Sequence, residues 1–201
     1  MSAKKYFLIV ALFILPLGIL TSIYGFDEST KYLLRIHNSW LDTIFSRITL
    51  WGEWPMVLVT LFFSTLLFRW KSWYFFIAFA IEGLIIQGLK IWFNFPRPSV
   101  KFPELMRQID GVQLVQWKAF PSGHTSAAFF GTGLIVYFLR RLETPKSLSN
   151  SIIFLAFLVG YSRIYLGQHS VEDVLAGAFL GSLLSYVFLH YFDRSNAAKI
   201  A

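Results

Sequence analysis

The stretch Trp73–Phe93, WYFFIAFAIEGLIIQGLKIWF, decides the fold. It is apolar over the length of helix, about 20 residues, that crosses the hydrocarbon of a bilayer. It carries two charges, Glu82 at mid-stretch and Lys90 near the end. Ionisable groups in such a place are rare and mark sites or interhelical hydrogen bonds. For Glu82, a protonated or hydrogen-bonded carboxyl facing another helix is the simpler reading, and a proton relay the alternative. Lys90 lies where a span meets water, and the question becomes what gathers around it.

Working outward, five more apolar runs appear: Tyr6–Tyr24, Pro55–Phe68, Ser122–Leu139, Ile152–Leu166 and Val171–Phe192. The first begins after Lys4-Lys5 like a signal peptide. However, Thr21-Ser22-Ile23 offers no small-x-small cleavage pattern, so an uncleaved anchor is expected. Between the first two runs, Asp27–Gly52 sets Leu33, Leu34, Ile36, Trp40, Leu41, Ile44 and Phe45 against Lys31, Arg35, Asp42 and Arg47. That spacing predicts an amphipathic helix lying in the membrane interface. The expected fold is therefore all-α: a six-transmembrane helical bundle, one domain over residues 1–201. Gly177-x-x-x-Gly181 predicts close helix packing inside it.

Composition agrees. Of 201 residues, 56% are apolar, 19% aromatic and only 14% charged, too little polar surface to cover a water-soluble globule. The net charge of +7 sits at the ends of apolar runs rather than in a stripe, which speaks for membrane topology and against nucleic acid. No cysteine is present, which removes disulfides, thiolate catalysis and Cys-ligated metals. At one set of span ends lie Lys4, Lys5, Arg69, Lys71, Arg140, Arg141, Lys146, Arg194 and Lys199. At the other lie Lys31, Arg35, Arg47, Lys90, Arg97, Lys101, Arg107, Lys118 and Arg163. The first set occupies the shorter loops, which carry the topological signal, so it is expected to be cytoplasmic and the second to face outward.

The second set contains the chemistry. Lys90, Arg97, Ser122-Gly123-His124, Arg163, His169 and Asp173 all fall at outward span ends. A phosphoryl group needs cations around its oxygens, an in-line nucleophile and an acid for the leaving group. Asp173 follows His169 by one helical turn, so its carboxylate can fix the imidazole tautomer and leave the other nitrogen free. Ser170-x-x-Asp173 also fits a capping box, but a cap needs no neighbouring histidine. Ser122-Gly123-His124 opens a helix, where free N–H groups and the dipole favour phosphate. His124 is then placed to protonate a departing alkoxide. Arg97 lies between Pro96 and Pro98, which restrict its backbone. No carboxylate cluster fit for Mg²⁺ is present.

The pattern Lys90-x₆-Arg97-Pro98, Pro121-Ser122-Gly123-His124 and Ser162-Arg163-x₅-His169-x₃-Asp173 resembles the type 2 phosphatidic acid phosphatases. That superfamily also includes vanadium haloperoxidases and glucose-6-phosphatase. The resemblance implies a phosphohistidine on His169, oriented by Asp173, with His124 as general acid. It also implies that Lys90, Arg97, Ser122, Gly123 and Arg163 hold the phosphoryl group without metal. It points to a bacterial inner-membrane enzyme whose site faces the periplasm or exterior. The substrate would be a lipid phosphate or diphosphate, of the undecaprenyl diphosphate or phosphatidylglycerophosphate type, with lipid A 1-phosphate second. No obligatory protein partner is evident. A haloperoxidase is disfavoured by the six apolar runs, and a transporter by charges gathered at one surface rather than at mid-membrane. Lys101, Arg107 and Lys118, in the Phe95–Pro121 loop, are expected to add positive charge for a bulky or multiply charged head.

Overall fold

The computed structural model describes residues 2–197, and Lys199 of the topological argument lies outside them. Among the described residues there are helices and loops but no strand. In chain order the helices are α1 (Ala3–Tyr24), α2 (Phe26–Leu34), α3 (Ser39–Ile48), α4 (Trp54–Phe68), α5 (Trp73–Phe93), α6 (Pro98–Lys101), α7 (Gly123–Arg141), α8 (Lys146–Tyr165) and α9 (Val171–Ala197). Six of them, α1, α4, α5, α7, α8 and α9, coincide with the six apolar runs.

The ends follow local chemistry. Ser2 caps α1 by accepting from the Lys5 N–H, and Gly25, at φ 85°, ends it in a conformation that favours glycine. On α1 only Tyr6, Val10 and Ile14 are buried, spaced one turn apart, while Leu12, Phe13 and Ile23 are exposed. Such an outward apolar face suits lipid. The long amphipathic segment departs from expectation: it is two helices rather than one. Asn38 takes extended backbone and accepts from the Trp40 N–H at 2.9 Å, capping α3. Asparagine offers the backbone an alternative to continuing a helix, and here that alternative prevails.

Ala3–Tyr24, Trp54–Lys101, Lys146–Tyr165 and Val171–Ser195 are long and apolar enough to cross a membrane. Helix α4 has 15 residues, about 22 Å of rise, less than the ~30 Å hydrocarbon core. Helix α7 is not among those four stretches. It is buried from Thr125 to Leu139 save for Ala127, so it faces helices instead of lipid and tolerates Thr125, Ser126, Thr132 and glycines. Helix α9 lies along it. A Cβ on Gly177 or Gly181 would overlap the carbonyl oxygens of Ser122 and Ser126, so the expected close packing is realised between α9 and α7.

Phenylalanines fill the end opposite Lys90, where Phe68, Phe75, Phe138, Phe188 and Phe192 pack ring on ring. One face of α5 runs from this cluster through Phe79, Glu82 and Ile86 to Lys90, all buried. Glu82 accepts from the Ser126 hydroxyl of α7, the interhelical hydrogen bond expected of it.

Candidate active site

Lys90, in the last turn of α5, donates from Nζ to the Lys118 carbonyl at 2.9 Å. Asn94, in the left-handed conformation, ends that helix and sends the chain into Arg97. The Arg97 N–H donates to the Gln116 carbonyl at 2.8 Å, tying the two limbs of the Phe95–Pro121 loop together. Its guanidinium donates to the Trp117 carbonyl at 3.1 Å and to the backbone and side-chain oxygens of Gln168 at 3.3 and 3.1 Å. Arg163, in the last turn of α8, donates from Nη1 to the Thr49 hydroxyl at 2.7 Å. Arg163 is 7% exposed, and its Nε has no hydrogen-bond partner among the described residues.

His169 sits between α8 and α9 and is 1% exposed. Its Nδ1 lies 3.4 Å from Asp173 Oδ2. The same carboxylate oxygen accepts from the Ser170 N–H at 2.9 Å, so one oxygen reaches both the helix cap and the imidazole. Burial, followed by the guanidiniums of Arg163 and Arg97, holds the His169 imidazole well below its ordinary range. It is therefore neutral, with a lone pair, at neutral pH. Ser122 precedes α7 without capping it through its side chain. Its N–H donates to the Asp173 carbonyl at 2.9 Å, fastening the start of α7 to α9, and its hydroxyl accepts from Thr125 at 2.8 Å.

These elements enclose a cavity of about 540 Å³ lined by Lys90, Arg97, Lys118, Gly123, His124, Arg163 and His169, among others. Ser122 and Asp173 stand behind that wall. Lys101 and Arg107 correct the sequence expectation, because neither lines the cavity. Lys101 pairs with Asp27 at 3.1 Å and Glu172 at 3.2 Å, and Arg107 with Asp42 at 2.9 Å. Arg107 also lies over the Tyr165 ring. Their carboxylates come from α2, α3 and α9, far away in sequence, rather than from the loop's own Glu104 and Asp110.

Three polar contributors were not singled out from sequence. Thr49 and Gln168 hold the two arginines, and Glu53 Oε1 lies 2.6 Å from His124 Nε2. The available signal for Glu53 was its position: a carboxylate directly before a span, on the side of the chain where the cations gather.

The comparisons with known proteins bear on this geometry. The model of the PAP2 superfamily matches residues 71–197, which include every site residue named from the sequence. The chain belongs to the PAP2 superfamily. It is 30% identical over 172 residues to phosphatidylglycerophosphatase B of Bacillus subtilis, covering 80% of each chain. It is 31% identical over 176 residues to a lipid A 4'-phosphatase of Bacteroides thetaiotaomicron, covering 81% of this chain and 76% of that one. Among solved structures, a transmembrane PAP2 type phosphatidylglycerolphosphate phosphatase from Bacillus subtilis superposes with a TM-score of 0.70. There the identity is 27%, over 96% of this chain and 94% of that one. The PAP2 family expectation from the three blocks therefore holds, and with it the reading of a multi-pass membrane lipid phosphatase.

Proposed function

We propose that this PAP2 phosphatase removes the terminal phosphate of a membrane lipid by way of a phosphohistidine, without a metal. The observation that carries the proposal is the cavity: Lys90, Arg97 and Arg163 enter it with only neutral hydrogen-bond partners. Gathered cations repel one another, and a phosphoryl group with two or three anionic oxygens relieves that repulsion. The unpartnered Arg163 Nε is a buried donor awaiting an acceptor. Gly123, which lines the cavity, brings the N-terminus of α7 to it, while Ser122, expected from the sequence to hold the phosphoryl group, instead spends its N–H on the Asp173 carbonyl.

In the first step the free Nε2 lone pair of His169 attacks phosphorus while Asp173 holds Nδ1. The P–O bond to the lipid breaks, and the lipid oxygen takes a proton from His124. In the second step water attacks the phosphohistidine and gives a proton to His124. The P–N bond breaks, releasing inorganic phosphate and restoring neutral His169. The cations supply the charge that a metal supplies elsewhere. Among the described residues no group of three His, Cys, Asp or Glu could hold one.

The relatives named above support a phosphatidylglycerophosphate-type substrate, with a lipid A phosphate as the second reading because that similarity also extends along most of the chain. Purified in detergent, the protein should release phosphate from a panel of lipid phosphates in EDTA as fast as without it. Rapid quench with ³²P-labelled lipid should trap an acid-labile phosphoprotein that His169→Ala neither forms nor turns over. Activity that needs Mg²⁺, or turnover in His169→Ala, would overturn the mechanism.

We also propose that the cavity faces the exterior of a bacterial inner membrane. With no native cysteine, Glu104→Cys should react with an impermeant maleimide in intact cells and Ser147→Cys should not. The reverse pattern would turn the molecule over.

A further inference from the structure

Glu53 is the one carboxylate among the described residues that line the cavity. Placing a carboxylate in a pocket that binds an anion weakens binding, so its presence calls for a compensating role. Helix capping is not that role. Glu53 occupies the N-cap position of α4, yet its side chain makes no capping hydrogen bond there. Instead Oε1 turns back to His124 Nε2 at 2.6 Å, slightly shorter than the range of about 2.7–2.9 Å for a charge-assisted N–H···O bond. The approach depends on Gly52, because a Cβ at that position would overlap the backbone oxygen and Cβ of His124. The turn Thr49–Gly52 therefore rests directly on the first turn of α7 and delivers Glu53 to the imidazole.

The consequence depends on which side of phosphorus Glu53 occupies. In-line displacement puts the leaving oxygen opposite His169; with His124 as its acid, that oxygen lies beside His124 and therefore near Glu53. Cations from two other elements, Lys90 of α5 and Arg163 of α8, line the same cavity and oppose a proton on His124. Glu53 is the countercharge that acts against them and, together with the bound phosphoryl anion, favours a proton on Nε2 for the leaving oxygen to take. An alcohol leaving group needs that proton, since the alkoxide it would otherwise leave as is about as basic as hydroxide. A phosphate leaving group, with a second pKa of ~6, departs as an anion and needs none. It would also meet the Glu53 carboxylate as a like charge. Of the three loop cations expected to receive a second phosphate, Lys101 and Arg107 are committed to Asp27, Glu172 and Asp42, and Lys118 alone lines the cavity.

We propose that Glu53 is the positioning residue that loads His124 with its proton, and that it tunes this site to phosphomonoesters of lipid alcohols over lipid diphosphates. The proposal rests on the phosphohistidine mechanism above.

The test compares phosphatidic acid with diacylglycerol diphosphate, which share a tail and differ in leaving group. The wild-type protein should prefer phosphatidic acid in kcat/KM. Glu53→Gln should lose about 10²-fold in kcat on phosphatidic acid, the scale of general acid catalysis, and at least tenfold less on the diphosphate. Glu53→Asp should recover part of the monoester rate. A second measurement needs no variant: across alkyl and aryl phosphomonoesters the wild-type rate should depend weakly on leaving-group basicity, because the proton is supplied. Equal losses on both substrates, no loss on the monoester, or a steep leaving-group dependence in the wild type would each overturn the assignment of Glu53. Failure of the parent mechanism is seen separately, as absence of the labelled phosphohistidine in the wild type.

Discussion

Two groups of cations lie at the same end of the bundle and differ in the company they keep. Lys90, Arg97 and Arg163 are held by the carbonyls of Lys118, Trp117 and Gln168, the Gln168 amide oxygen and the Thr49 hydroxyl. Lys101 and Arg107 are held by the carboxylates of Asp27, Glu172 and Asp42. Neutral acceptors orient a cation and leave its charge available, whereas a carboxylate largely spends it. The first group can bind an anion, and the second fastens the Phe95–Pro121 loop to α2, α3, α9 and the end of α8. Cation count alone does not locate an anion site; the partners do.

The largest effect expected from this contrast is at Arg163. Arg163→Ala should lower kcat/KM by about 10³-fold or more, the scale of an arginine that stabilises a phosphoryl transition state. Arg163→Lys should recover only part of it, because an ammonium cannot reproduce the planar fork. Steady-state phosphate release measures both.

The smallest effects are expected at the loop staples. Lys101→Ala and Arg107→Ala should each change kcat/KM by less than about tenfold. Each should lower stability by about 1 kcal/mol, as partly exposed ion pairs do, read from thermal unfolding in detergent. If either staple variant lost as much activity as Arg163→Ala, the distinction between the two groups would fail.

Much of the site was legible because charge at a span end has few places to go. Lys90, Arg97, His124, Arg163 and His169 each adjoin a long apolar run, and alternating the runs across a membrane sends all of them to one surface. The His169–Asp173 pair was legible from helical periodicity alone. The break at Asn38 could have been read from its capping chemistry, but the amphipathic spacing on both sides masked it. Glu53 was not legible as the partner of His124. That relation depends on how Gly52 seats one turn against another helix, 71 residues on, and no local pattern encodes it.

The sequence by itself determined that the chain is a helical membrane protein with cations, two histidines and a carboxylate at one end. Hydrophobic length and the position of charge are local properties of a chain in a bilayer. Only the tertiary structure decided which cations remain available to an anion, that α7 is enclosed by its neighbours, and that a carboxylate from before α4 meets His124. Those outcomes are set by pairings between residues distant in sequence. Electrostatic interactions act over ångströms of space, whatever the separation along the chain.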